Sequence, residues 1–542
     1  MLQIELAATA LRGSGLPGFL RNFRAIIQWS ALRWRARGPG EIVAWAVTAL
    51  VLVLFVLGAG RRIEQADDAF ISYRYAVNLA TGHGLVYNPG EYVEGFTNLL
   101  WTLLIALWVR IGVQAPSAGQ AMSLLFGALS LVGVHIYVRR FLPPRFAWLA
   151  ALAPVVMLAS NSFACWTTTG LETPLFLFLT IAGMLAFDMQ RQIATAWISV
   201  LALLCRPEGG IMAGVLLGVP WIIGLIRWSD GWRGVLRRSV PPLIFVAALA
   251  ALTAWRYYYY GDVVPNTFHA KVGQVPLEDG VFYIEKFFSD GPLLLLPGAM
   301  LAIILEPRLR APALFGLATT VYCVAIGGDV FAFGRFMLPV LPVLLAAASV
   351  GAERLLAWRV WLGIALALAL PATALVSLYG EVSPPGFHLA NDFDLMGPVD
   401  EPFPRLGKRA RAERHWFREP NEKHFIKAMS ARMRKVRPGV KLVACIGIGK
   451  IGYYNMDLRI LDMVGLTDRR IALSQRTVPG AWIIPGHSRT DSDYVLSRRP
   501  DIIIMRNAPS PGLLPAIADL LGNPGLKKLY WFDSVNKFWI AK

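Results

Sequence analysis

Charge is what this sequence has least of. Only 16% of its 542 residues are Asp, Glu, Lys or Arg, against about 25% in an ordinary soluble domain. The chain therefore lacks the polar material to cover a wholly water-exposed surface. Cysteine is sparse as well: Cys165, Cys205, Cys323 and Cys445 stand far apart, three of them in or beside apolar runs. That spacing excludes a disulfide framework or a close-set metal motif and suits small buried hydrophobes. What abounds is apolar surface, with 56% hydrophobic residues and a mean hydropathy of +0.50. These numbers define a polytopic α-helical membrane protein. The formal net charge of +18 would suit nucleic acid, but many arginines stand in short turns between apolar runs. That is the footprint of positive-inside topology, and no nucleic-acid partner is expected.

Residues 1–42 form a basic arm, with Arg12, Arg21, Arg24, Arg33, Arg35 and Arg37 among Trp, Phe and Leu. Such an arm suits the cytoplasmic face of a membrane and its lipids. The run Ala44–Gly60 reads as an uncleaved anchor. Further apolar runs lie at about 98–109, 119–138, 146–160, 174–187, 193–205, 209–226, 241–258, 292–305, 311–327, 335–350 and 357–379. If all crossed, the turns Arg139–Arg145 and Arg227–Arg238 would face outward, against the positive-inside rule. The first of these runs, LLWTLLIALWV, is only eleven residues long, where a crossing needs about 20. Read instead as a helix in the outer interface, anchored by Trp101 and Trp108, it removes the conflict. About eleven spans then remain within residues 43–380. The turns at 139–145, 188–191, 227–238, 306–310 and 353–359 become cytoplasmic, and the first external loop runs from 61 to 118.

That loop opens with ADDAFISYRYAVNLATGHGLVYNPGEYVEGFT, residues 66–97. Asp67 and Asp68 follow directly on a bilayer-length segment, and paired acids at a membrane surface mark a functional site. On an extended segment neighbouring side chains point opposite ways, so one is expected to act as a base and the other to fix the loop or bind sugar. The remaining outward turns supply His83, Glu94, Glu172 in TTTGLETP, Arg206 and Glu208 in CRPEGG, Asn266, His269 and Lys271 in PNTFHAK, and Asp329 and Arg335 in IGGDVFAFGR. Five loops on one face imply a shared polar cavity. An outward site cannot draw on cytoplasmic nucleotide sugars, so a transferase there needs a donor already across the membrane, such as a polyprenyl-phosphate sugar. Arg206, His269, Lys271 and Arg335 are the candidates for its phosphate. His83, Glu94, Glu172, Glu208, Asn266 and Asp329 are the candidates for sugar and acceptor. A carboxylate within reach of an acceptor hydroxyl serves as base. The acid pair also suits Mg²⁺ or Ca²⁺, although no fuller ligand set is visible.

Residues 381–542 differ in character. A Pro-rich, charged stretch leads into helical NEKHFIKAMSARMRKV and strand-like KLVACI, DIIIM and KKLYWF, which predicts a small extracytoplasmic α/β domain. Within it GIGKIG, Gly447–Gly452, formally matches the dinucleotide fingerprint. No clear helix follows and Asp462 comes early, so it reads as a glycine-rich turn and not a cofactor site. His487 and Asp491 lie in a loop entering a helix, placed to touch a glycan or simply to pack.

The ordered series DDAFISYRYAVNLATGHGLVYNPGEYVEGFTNLLW, GLETP, CRPEG, PNTFHAK, GGDVFAFGRFMLPVLP and DMVGLTDRRIA resembles the terminal β-(1→2)-arabinofuranosyltransferases of actinobacterial cell walls. The resemblance runs over nearly the whole chain from about residue 60. It implies a GT-C fold, a decaprenyl-phospho-arabinofuranose donor, a cell-envelope glycan acceptor, and a catalytic aspartate in the first external loop, here Asp67 or Asp68. It also implies a juxtamembrane helix where 98–109 lies. A flippase for polyprenyl-linked sugars, and a related transferase acting on protein or lipopolysaccharide, stay open as alternatives.

Overall fold

The computed structural model describes residues 38–59, 65–227, 231–271, 277–329, 331, 333–379, 422–476, 478–479, 487–505 and 514–542. The basic arm up to residue 37, the Pro-rich stretch 380–421 and the turn centre at 228–230 lie outside them. Each apolar run marked in the sequence contains helix among the described residues. Among the described residues six helices are long and apolar enough to cross a membrane: Pro39–Gly58, Ala115–Arg139, Gly209–Arg227, Gly231–Tyr260, Leu338–Trp358 and Val360–Ser377. Leu277–Ser289 and Pro292–Leu305, bent by 72°, make a seventh if taken as one span. The runs expected at 146–160, 174–187, 193–205 and 311–327 form Pro144–Ala159, Thr173–Asp188, Gln192–Cys205 and Arg310–Ala325. These fall short of the roughly 20 residues of an upright crossing, so helix length alone does not carry a count of eleven.

Lipid-like surroundings are written on the outer helices. Pro39–Ala59 leaves Leu50, Val53, Leu54, Val56 and Leu57 each more than half exposed, a patch that water would not tolerate on a monomer. The centre is the opposite: from Leu338 to Glu353 every residue is buried. Gly351 lies there against the helix Leu296–Leu305 so closely that a Cβ would sit 2.3 Å from the Gly298 carbonyl oxygen. Small residues let these two backbones meet, which is how helices gain packing contact where no hydrophobic force separates them from lipid.

Ion pairs gather the arginine turns at one end of the bundle. Arg139 pairs with Glu41 at 3.1 Å, Arg140 with Asp188, Arg308 with Asp188 at 3.6 Å and Glu306 at 2.9 Å, and Arg354 with Glu306 at 3.3 Å. The helix Thr173–Asp188 carries Asp188 at this end and Glu172 before its start. Glu172 and the groups around it therefore mark the opposite end, on the order of 24 Å away.

Two sequence expectations change around the first loop. Asp67 and Asp68 do not sit on an extended segment: they open the helix Asp67–Ala80. Acids in a first helical turn are favoured by the peptide dipoles there, which is the signal the extended reading passed over. The juxtamembrane run does form a helix of its own, Leu99–Arg110, separate from Ala115–Arg139. Trp108 is exposed on it, but Trp101 is fully buried, its indole N–H donating to the Gly170 carbonyl at 3.2 Å. One tryptophan is exposed, as an interface anchor would be, and the other is core.

The C-terminal part is an α/β unit. The helix Glu422–Val436 leads into strands β1 (Leu442–Cys445), β2 (Arg459–Asp462), β3 (Ile502–Ile504), β4 (Tyr530–Asp533) and β5 (Phe538–Ala541). They form one sheet in the order β2-β1-β3-β5-β4, with β1 parallel to β2 and β3, and β5 antiparallel to β3 and β4. KLVACI and DIIIM supply β1 and β3 as expected. The sequence reading passed over β2 and β5. The glycine-rich turn also differs from expectation, because a six-residue helix, Gly449–Tyr454, begins inside it.

Candidate active site

The aspartate helix is held at both ends of its first turn. The N–H of Ala66 donates to the Thr169 carbonyl at 3.0 Å, which lays the TTTG turn against the helix start. The Asp67 carboxylate then accepts two backbone N–H groups of the C-terminal unit, Gly449 at 2.9 Å on Oδ2 and Lys450 at 2.7 Å on Oδ1. Enclosure beneath this turn raises the Asp67 carboxyl above its ordinary value, while the Lys450 amide and ammonium and the Gly449 amide pull the other way.

Asp68 is placed differently. Its side chain is 36% exposed and lies 3.9 Å from a guanidinium nitrogen of Arg335. Arg335 itself is buried, paired with Asp329, one of whose oxygens is 3.1 Å from Nη2. The guanidinium rests over the rings of Phe331 at 4.8 Å, Phe336 at 5.2 Å and Trp166 at 5.4 Å. Aromatic faces hold a planar cation without consuming its N–H donors.

Behind this pair stands a second charged group. Arg206 bonds Glu172 at 2.7 Å and grips Glu208 with two bonds, 2.8 and 3.3 Å, while lying over the other ring contact of Phe336 at 4.6 Å. Glu172 also accepts from the Asn98 amide at 2.8 Å, and Asn98 in turn accepts from Ser72 at 3.0 Å and Thr102 at 3.1 Å. The chain Ser72–Asn98–Glu172–Arg206–Glu208 thus ties the aspartate helix, the juxtamembrane helix and two loop ends into one buried network. Buried charges of this kind persist only when paired on all sides.

Of the residues expected at a shared cavity, the structure brings together Asp67, Asp68, Glu172, Arg206, Glu208, Asp329 and Arg335. The PNTFHAK segment makes its described contacts with another part of the C-terminal unit. Asn266 donates to the carbonyls of Gly465 and Leu466 at 2.8 and 2.9 Å, His269 contacts Asp262 at 3.0 Å, and Arg469 reaches the same Asp262 at 3.0 Å. Lys271 ends the helix Asn266–Lys271 and is exposed. Glu94 belongs to this junction too: it pairs with Arg256 at 2.9 Å, and its carbonyl accepts the Asn266 N–H. Burial pushes its carboxyl up to about 7 against the pull of Arg256. His83 is exposed beyond the far end of the 14-residue aspartate helix, its ring bonded to Thr81, roughly 20 Å from Asp67 by helix rise.

Three contributors escaped the sequence reading. Asn98 and the Gly449–Lys450 turn are two. The third is Arg74, fully buried in the aspartate helix, which donates to the carbonyls of Tyr87 at 2.8 Å, Gly452, Asn455 at 3.2 Å and Leu458 at 2.7 Å. Asp67 accepts one amide on each oxygen, and among the described residues no three His, Cys, Asp or Glu side chains converge.

Fold and site together describe a polytopic helical membrane protein whose α/β unit is docked over an acid–guanidinium cluster at one end of the bundle. Residues 415–537 match the model of a family described as a domain of unknown function (DUF8728). The chain is similar to the terminal beta-(1->2)-arabinofuranosyltransferase of Mycobacterium tuberculosis, 28% identical over 268 residues, 46% of this chain and 41% of that protein. It is likewise similar to the protein of that name from Corynebacterium glutamicum, 28% identical over 379 residues, 58% of this chain and 52% of that one. The chain thus spans about half the length of the curated relatives it matches. A solved structure with which it aligns is ArnT from Cupriavidus metallidurans in the apo state, at 13% identity and a TM-score of 0.48, covering 81% of this chain and 87% of that one.

Proposed function

We propose that this chain is a GT-C glycosyltransferase that moves a sugar, D-arabinofuranose, from a polyprenyl-phosphate donor to a hydroxyl of a cell-envelope glycan at the outer face of the inner membrane. The observation that carries the reading is the pairing of a half-open carboxylate, Asp68, with a buried guanidinium, Arg335, 3.9 Å away. Two similar proteins named as arabinofuranosyltransferases support the sugar and the reaction class. The clustering of arginine turns at the opposite end of the bundle supports the outward side for the site.

In this reading Asp68 accepts the proton of the acceptor hydroxyl as that oxygen bonds to the anomeric carbon and the bond from carbon to phosphate oxygen breaks. The polyprenyl phosphate leaves with the charge, which Arg335 is placed to balance. Arg206, which the sequence offered for the phosphate, is already gripped by Glu172 and Glu208 and serves to hold the loop ends together.

The test is transfer in a purified, detergent-solubilised preparation given decaprenyl-phospho-arabinofuranose and an arabinan acceptor. The wild type extends the acceptor. Asp68→Asn binds the donor lipid and transfers nothing. A wild type inert with every polyprenyl-phosphate sugar offered, or Asp68→Asn working at the normal rate, overturns the proposal.

A further inference from the structure

We propose that Asp67 is a positioning residue that seats the C-terminal unit, and that this seating sets the direction of Asp68; the activity arm of the test rests on the transferase reading, the structural arm does not. A base needs a lone pair open to the acceptor. Asp67 has both oxygens engaged, in bonds of 2.9 and 2.7 Å to amides 382 and 383 positions away, and charge-assisted bonds of that length are strong.

The seat is shaped for backbone against backbone. A Cβ on Gly449 would lie 1.8 Å from the Asp67 carbonyl oxygen, and one on Gly452 would lie 2.0 Å from the Tyr87 hydroxyl. Glycine at these two places is a requirement of close approach. The contact continues along the helix: the Tyr87 hydroxyl donates to the Ile448 carbonyl at 2.6 Å, and Arg74 donates to the carbonyls of Gly452, Asn455 and Leu458. Phe70 stacks edge-on against Tyr453, centroids 5.4 Å apart. The turn of GIGKIG thus grips the first turn of the aspartate helix, and Asp68 is the next residue on that turn. Its 3.9 Å approach to Arg335 depends on a helix start that a separate unit of the chain holds in place.

Two variants and a control test this. Gly449→Ala forces the two backbones apart while touching no reacting group; kcat falls roughly a hundredfold, the donor KM stays near the wild-type value, and the amides of 449–455 lose protection in hydrogen exchange. Asp67→Asn can accept only one of the two amides. It keeps measurable transfer with the donor KM near the wild-type value, because the base is still Asp68. Gly522→Ala, on the same unit with open space around its Cβ, behaves as wild type. Wild-type kcat and protection in Gly449→Ala overturn the proposal. So does Asp67→Asn that is as inactive as Asp68→Asn with its 449–455 amides still protected. If wild type transfers no sugar at all, the transferase reading fails, and the exchange data on Asp67→Asn still decide the seating: lost protection supports it and full protection overturns it.

Discussion

The carboxylate of Asp67 accepts the N–H of Lys450 at 2.7 Å, so the first acid of the pair is bonded to the far unit of the chain. Its neighbour Asp68 meets Arg335 instead, at 3.9 Å and partly in the open. Two adjacent acids, identical in the sequence, are divided by tertiary contacts into one with both oxygens bonded to backbone amides and one that lies partly open beside a guanidinium. The helical geometry makes the division sharp, because consecutive residues on a helix diverge by about 100°.

Arg335 is the first residue on which this division makes a prediction. Arg335→Ala leaves Asp329 buried without its cation, and a broken buried pair of this kind costs about 3–5 kcal/mol. The thermal midpoint in detergent should fall markedly. Arg335→Lys restores the charge but not the planar fork over Phe331 and Phe336, so it should recover most of the midpoint and little of the transfer rate. Equal recovery of both would show that any cation at this place suffices.

A second prediction concerns Arg206. With Glu172 on one side and Glu208 on the other, Arg206→Ala strands two buried carboxylates and should destabilise by at least the same roughly 3–5 kcal/mol. Glu208→Gln keeps one acceptor for the guanidinium and should cost about 1–3 kcal/mol. Donor-lipid affinity measured on whatever folded Glu208→Gln remains should match wild type. A large loss of affinity there, with an unchanged thermal midpoint, would return Arg206 to the phosphate.

How far the sequence could be read follows from these residues. The apolar runs were legible because each is a continuous stretch whose length speaks for itself, and Asp67–Asp68 stood out because acids beside a span are costly unless used. Which acid does what was not legible, since the answer lies in amides 382 and 383 positions away. GIGKIG was visible as a pattern, but its target is a carboxylate of the same chain, which no local rule names. His269 and Lys271 show another limit: an imidazole and a cation near one another suit a phosphate and a domain junction equally, and the sequence cannot show that His269 and Arg469 meet on Asp262.

Residues that the site does not gather should tolerate change. His83→Ala removes an exposed ring bonded to Thr81, and Lys271→Ala trims an exposed helix end. Both should stay within about 0.5 kcal/mol of wild type and transfer at an unchanged rate. Loss of transfer in Lys271→Ala with an unchanged melting profile would place the PNTFHAK segment back on the donor.

The junction between bundle and C-terminal unit should weaken as pH rises, and Glu94 supplies the reason. Burial raises its carboxyl from 4.5 to about 7, with Arg256 opposing. Between those two values the folded protein holds a proton that the unfolded chain has released, so the group's contribution is complete below about 4.5 and is lost as pH climbs through 7. A shift of that size corresponds to on the order of 3 kcal/mol. The Glu94 carbonyl accepts the Asn266 N–H, and Asn266 in turn holds the Gly465–Leu466 turn, so the effect is centred on the contact between the two parts of the chain. Glu94→Gln cannot ionise and should flatten this part of the profile. Melting curves of the two proteins across this pH range check it: the wild-type midpoint should decline more steeply than that of Glu94→Gln, and parallel curves would mean that Glu94 is ionised throughout and its pairing with Arg256 outweighs its burial.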